Sequence, residues 1–309
     1  MRLKSKIFLA GSVLIIILLF TPKIINASGY SLSIYPTIIK IKTNPPATVK
    51  AGVRIKNLSD NPVELGYVLK PFVASEKNSG QVKYLLYSDY TSKNTNFLQG
   101  VRILENDQTI SKIILSPKQE KNLTIVIDIP REEESIDRYF SLVFLAKNQD
   151  KPDSSYSRIV QGIGTNVLIS INPQGHKAKI KDFSTSPFVS GGPVKFSVEV
   201  ENMERNFINA SGYIIINNIF GQTVGKVNLG PRNILAKSAV KMSSKENNDV
   251  IWTENFLLGS YKAKLYVNYD NYPTLSEETR FIAIPAKPII ILTIAGFIII
   301  FIKNRYKTH

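Results

Sequence analysis

Two histidines and no cysteine limit the chemistry open to this 309-residue chain. His309 is in the basic C-terminal stretch, and His176 stands alone after Pro173-Gln174-Gly175. Nucleophilic catalysis of the Ser-His-Asp or Cys-His kind needs an imidazole held beside its nucleophile. A solvated linker residue is the plainer reading of His176. No HExxH, P-loop or GxGxxG spacing occurs, and no Cys/His cluster has the spacing of a zinc site. The densest carboxylates are Glu132, Glu133 and Glu134, with Asp137 beyond. Calcium loops alternate oxygen ligands with other residues. These three stand in an unbroken row between Arg131 and Arg138, and so read as a solvated loop. Two acids for glycoside hydrolysis could meet in any fold, but no spacing here selects a pair. The reading is non-enzymatic: no catalytic residue, no cofactor and no metal.

Aromatic side chains offer a binding chemistry instead. Tyr84, Tyr87 and Tyr90 recur at a spacing of three, with Phe97 beyond. Exposed tyrosines stack on sugars or anchor a protein partner. These four are the candidate partner-binding residues, against the alternative that they pack locally. Trp252, in VIWTENFLLGSY, precedes an apolar alternating run and reads as core. Asn57, Asn122 and Asn209 each open a glycosylation sequon, which matters only where the modifying machinery exists.

The elements that carry these residues have a period of two. Val49, Ala51, Val53 and Ile55 alternate with Lys50, Gly52, Arg54 and Lys56, the pattern of a half-buried strand. Ser59-Asp60-Asn61-Pro62 is a turn, because Asp and Asn bond back to the backbone and Pro presets φ. Val63, Leu65, Tyr67 and Leu69 continue as a second strand, antiparallel to the first. Leu123 to Ile129, Tyr139 to Ala146 and Ile159 to Ile171 add three more. Residues 74–108 are irregular and polar. A loop of that length in a compact domain is often functional.

The same organisation then recurs. Val49-Lys50, Val53, Ile55, Asn57-Leu58 and Asn61 match Val194-Lys195, Val198, Val200, Asn202-Met203 and Asn206, at one constant offset. Tyr261 to Tyr269 forms a later alternating strand, and Arg280 to Ile284 a last one. The expected fold is all-β, two tandem Ig-like β-sandwiches. The expected division is 1–27 signal peptide, 28–173 first sandwich (chaperone-like), 174–286 second sandwich, 287–302 transmembrane helix and 303–309 cytoplasmic basic tail.

The two ends carry the topology. Arg2, Lys4 and Lys6 precede an apolar run from Ile7 to Phe20, and Ile25-Asn26-Ala27 offers a small-residue cleavage site, the pattern of a secretory signal. Pro288 to Ile302 is uncharged and apolar, and is followed by Lys303, Arg305 and Lys307. This reads as a single membrane span with its positive side inward. The formal charge is +15. Eight of the 39 basic residues flank the two apolar ends, leaving 31 against 24 acidic residues between them. That mild excess suits an anionic wall polymer, or follows from a composition rich in Lys, Ile and Asn. No dense basic cluster points to nucleic acid. The expected location is the cell membrane, single-pass, with the ectodomain outside.

The order of features resembles the WxL-interacting surface proteins of bacteria, which join a signal peptide, two Ig-like domains, one span and a short basic tail. Their first domain also resembles the sandwich of pilus-assembly chaperones. The residues that carry the resemblance are YPTIIKIKTNPPATVKAGVRIKNLSDNPVEL in the first domain, NSGQVKY at 78–84 and LSPKQEKNLTIVIDIP at 115–130. YFSLVFLA at 139–146 stands where that family has a Gly-rich strand. The resemblance implies binding to peptidoglycan and to a second surface protein. The first expectation is therefore a membrane-anchored surface-binding or scaffolding protein that engages a cell-wall polymer or a secreted surface protein. The alternative is an extracellular chaperone for surface fibres that works by β-strand complementation. For it, Lys50, Arg54 and Lys56 are candidates to hold a partner's C-terminal carboxylate. An envelope hydrolase is a distant third.

Overall fold

A computed structural model describes residues 31–75, 80–90, 96–147, 161–173, 175, 177–245 and 248–306. Strands are numbered in chain order. One sheet runs β1 (Leu32–Tyr35), β3 (Ala47–Asn57), β9 (Glu120–Ile129), β6 (Val101–Glu105), β7 (Gln108–Thr109). Facing it is β2 (Ile38–Thr43), β11 (Gly162–Ile171), β10 (Arg138–Ala146), β4 (Val63–Ala74), β5 (Val82–Tyr84), with β8 (Lys112–Leu115) also on β4. Alternation decides which side chains meet between them. Ile55, Ile125 and Ile103 from one sheet pack against Leu65, Phe140, Leu142, Phe144 and Val167 from the other, all at 0% exposure. Each such side chain contributes about 1.5–3 kcal/mol on leaving water.

The chain's entry into this sandwich shapes its edge. β1 pairs antiparallel with β3, Tyr35 lying opposite Arg54. The chain then crosses to the other sheet, and β2 pairs parallel with β11, starting at Ile38 opposite Asn166. One N-terminal segment thus serves both sheets, and among the described residues it covers neither edge along its full length.

The second pair of sheets repeats the layout. β12 (Ala178–Thr185), β14 (Val194–Asn202) and β17 (Ala239–Lys241) form one sheet, with β18 (Val250–Trp252) also on β14. β13 (Phe188–Val189), β20 (Leu275–Ala283), β19 (Gly259–Tyr269), β15 (Ile208–Asn218) and β16 (Thr223–Ile234) form the other. Val200, Ile214, Ile216, Leu265 and Val267 fill its core, with Trp252 at the side.

The repeated spacing has a physical counterpart. Asn57 Nδ2 donates to Asn61 O at 2.7 Å and to the carbonyls of Leu115 and Ser116, while its Oδ1 accepts from Ser59 N at 3.0 Å. Asn202 Nδ2 donates to Asn206 O at 2.7 Å and to Ile234 and Leu235, while its Oδ1 accepts from Glu204 N at 3.0 Å. Both asparagines are fully buried. Each clasp turns the chain from one sheet to the other. For that reason β3 and β4 lie in opposite sheets and do not form a hydrogen-bonded pair.

The C-terminal helix, α1, spans Ala286–Tyr306. It corrects the membrane reading. Among the described residues, no helix is long and apolar enough to cross a membrane. Its uncharged stretch, Pro288 to Ile302, would rise about 22 Å at 1.5 Å per residue, against a hydrocarbon thickness near 30 Å. The single-span topology, the cell-membrane location and the membrane as a partner all rested on that stretch and are withdrawn. The signal-peptide reading falls on residues outside the described part, as do His176 and His309.

Candidate binding edge and interdomain cleft

The ladder of β11 determines which of its backbone groups are committed. Ala146 N donates to Gln161 O at 2.8 Å, and the antiparallel register places Leu145 opposite Gly162 and Val143 opposite Gly164. In such a ladder, hydrogen-bonded and non-hydrogen-bonded pairs alternate. Residues 161, 163 and 165 therefore turn their N–H and C=O toward β10. Gly162, Gly164 and Asn166 turn theirs the other way. Asn166 N reaches Thr37 O at 3.0 Å, where β2 begins. Among the described residues, no strand pairs with the outer edge of Gly162–Thr165. An unpaired edge is a template for another strand.

A second open edge behaves differently. β20 is covered by β13 only at Ile282 and Ala283. The open remainder carries Glu277, Glu278 and Arg280, and Glu278 is ion-paired to Lys262 at 2.7 Å and to Lys264 at 3.3 Å. Charges of this kind block strand addition. The β11 edge reads Gly-Ile-Gly-Thr and carries none.

The outer face beside the β11 edge is built close. A Cβ on Gly162 would sit 2.7 Å from Leu145 Cδ2 and 2.9 Å from Phe144 O, and one on Gly164 would sit 2.9 Å from Leu142 O and 3.2 Å from Val143 Cγ2. The side chains of Leu145 and Val143 therefore lean over the two glycines. Farther along, Ser141 Oγ donates to Asn166 Oδ1, and the Tyr84 hydroxyl lies 3.1 Å from Ser141 Oγ. This polar crosspiece spans β5, β10 and β11.

Beyond the crosspiece the same face is covered by the second sandwich. Phe72 and Leu168 pack with Phe207 and Leu235, beside Tyr139. Asp137 accepts from Asn206 Nδ2 at 2.8 Å, from Phe207 N and from the Tyr139 hydroxyl, which itself accepts from Ala236 N at 3.1 Å. Burial raises the Asp137 carboxyl above its ordinary value, even though these hydrogen bonds favour the charged form. Burial, and then the neighbouring Asp137 charge, push the Tyr139 phenol well up. Next to this seam lies a cleft of about 170 Å³ lined by Asn166, Leu168, Gln81, Arg232, Asn233 and Val240.

The aromatic candidates divide between surface and core. Tyr84 on β5 is 44% exposed, edge-on to Phe72 at 6.2 Å with Lys70 5.9 Å over its ring. Tyr87 is 89% exposed on a single 3-10 turn, Tyr87–Asp89, and meets Tyr90 at 5.4 Å. Asp89 accepts from Leu86 N at 3.2 Å and holds that turn. Phe97 points inward, 6.0 Å from Phe140, with the Arg138 guanidinium 5.9 Å above it. Arg54, on β3 with Lys50 and Lys56, stacks on Tyr35 at 5.4 Å and pairs with Glu120 at 3.5 Å. Glu133 accepts from Arg138, whereas Asp137, read with the same loop, is drawn into the seam between the sandwiches. Trp252 lies in the second core, edge-on to Tyr261. Among the described residues, no group of His, Cys, Asp or Glu could hold a metal ion. The edge glycines were missed by sequence reasoning. Their signal was present in G-I-G-T-N, since glycine within a strand marks close approach of another backbone.

The chain matches no family model and no curated protein. It is similar in structure to fimbrial chaperones. One is the class 5 fimbriae chaperone CfaA, at 15% identity over 81% of this chain and 99% of that one, with a TM-score of 0.39. Another is a chain of the chaperone–tip adhesin complex of CFA/I fimbriae, at 14% identity over 81% and 98%, with a TM-score of 0.40. The E. coli chaperone DraB is a third, at 13% identity over 82% and 98%, with a TM-score of 0.38. The likeness to the WxL-interacting family has no counterpart among these. The membrane-anchored surface-adhesion reading needed a span, and no helix among the described residues is long and apolar enough to cross a membrane; its wall-polymer and peptidoglycan part rested on charge and on that resemblance, which no family model supports. It is corrected accordingly.

Proposed function

We propose that this chain is an assembly chaperone that holds a protein subunit by β-strand complementation, an extended segment of the subunit adding to the open edge of β11. The observation that supports this most is the contrast between edges: Gly162–Thr165 is unpaired and uncharged among the described residues, whereas the open stretch of β20 carries Glu277, Glu278 and Arg280. Backbone hydrogen bonds then supply affinity, and flanking side chains supply selectivity. The seam through Asp137, Tyr139, Asn206 and Phe207 holds the second sandwich against the same sheet, so that its cleft adjoins the site. The fimbrial chaperones the chain resembles include one solved with a tip adhesin.

Two measurements test the reading. In the native cell, deletion of the gene should abolish a surface fibre while its subunit is still expressed; a fibre that persists unchanged overturns the proposal. In the purified full chain, the Gly162 and Gly164 amides should exchange rapidly with solvent alone and slow by about 100-fold or more when a subunit segment is bound. Unchanged exchange in a demonstrated complex places binding elsewhere.

A further inference from the structure

The β11 edge has two flanks, and both are apolar apart from the buried Thr165 hydroxyl on the inner one. A strand added along Gly162–Thr165 directs alternate side chains to opposite faces of the sheet. Those opposite Ile163 and Thr165 point toward the first core. There Ile163 on β11 and Leu32 on β1 pack against the core yet remain only partly buried, and Ile34 lies beside Leu32. Those opposite Gly162 and Gly164 point to the outer face. The glycines have no side chains to separate an incoming residue from Leu145 and Val143, which lean toward that edge. Both residues are half-buried, and Val68 continues the apolar surface next to Val143. No charged residue stands on Gly162–Thr165 or on Leu142–Ala146 opposite it.

We infer that the segment this edge takes is an uninterrupted apolar run, not one that alternates apolar with polar residues. The inference rests on the strand-addition reading and specifies its partner. Side chains that neighbour each other across strands on one face stabilise the pair when both are apolar, so an apolar flank on each face favours apolar residues at every position of the added strand. The inward residues complete the core at Ile163 and Leu32, and the outward residues cover Leu145 and Val143. The polar crosspiece of Ser141, Asn166 and Tyr84 marks where this apolar strip ends.

Three capped peptides of equal length test it on the full chain. One is six residues of valine and isoleucine flanked by lysines. The other two replace every second apolar residue by serine, in the two opposite phases. Binding is followed by exchange of the Gly162 and Gly164 amides, and affinity by titration. The uninterrupted peptide is expected to bind about tenfold or more tightly than either alternating one. The surface pair Val143→Ser with Leu145→Ser should cancel the advantage over one serine phase and leave the advantage over the other intact. Equal protection of the amides by all three peptides overturns this inference and leaves strand addition standing. Protection by none overturns both. A free chain whose sedimentation shows dimers joined through this edge, with the same amides already protected, makes a second copy the occupant and also overturns the inference.

Discussion

At the scale of single residues, the two buried asparagines do the most to define the fold. Each donates to carbonyls from two separate turns and so ties those turns together. A buried acceptor left without a donor costs about 1–3 kcal/mol. Asn202→Ala is therefore expected to lower unfolding stability by about 2–3 kcal/mol in urea titrations, with Asn57→Ala costing a similar amount. A loss below about 0.5 kcal/mol would mean that water replaces the side chain. The spacing Asn57–Asn61 and Asn202–Asn206 was legible as a repeated turn. The clasp was not, because the second set of acceptors, at 115–116 and 234–235, is remote in sequence and has a different offset from its asparagine.

At the scale of elements, β11 shows where pattern reading stops. Ile159 to Ile171 was legible as a strand, but the role of Gly162 and Gly164 within it was not. The register explains them, since each faces a residue of β10 in a position without ladder bonds and leaves no room for a Cβ. Gly164→Ala would place a methyl 2.9 Å from Leu142 O, a backbone atom that cannot swing aside. Crowding of this kind costs about 1–3 kcal/mol. The expected result is a lower urea midpoint with an unchanged slope, and no loss at all would show that the strands can part freely. The helix at 286–306 is the converse case. Its helical character could be read from the sequence, but a membrane span was more than its uncharged length supports.

At the scale of the whole molecule, the carboxylate most deeply buried in the seam between the two sandwiches is Asp137. Asp137 carries a raised pKa, so the folded chain holds that proton more tightly than the unfolded chain does. The stability this adds is fully present below the ordinary value of 3.8 and is lost as pH rises through the raised folded value. Relative to Asp137→Asn, the wild-type chain should therefore lose unfolding stability between about pH 4 and the end of that titration. Parallel urea unfolding of both chains measures it. A difference that grows with pH instead would mean that the hydrogen bonds from Tyr139, Asn206 and Phe207 outweigh burial.

Periodicity, turn chemistry and composition were enough to establish strands and a repeated strand–turn–strand unit. These are local properties, written in residues a few positions apart. The tertiary structure alone decided which edges stay open, where Asp137 goes and what Tyr139 and Phe72 are buried against. Each of those depends on pairing between segments far apart in the chain. The crossing of the N-terminal segment from β3 to β11 is the clearest instance: it covers β11 from Asn166 onward and, among the described residues, leaves Gly162–Thr165 without a neighbouring strand.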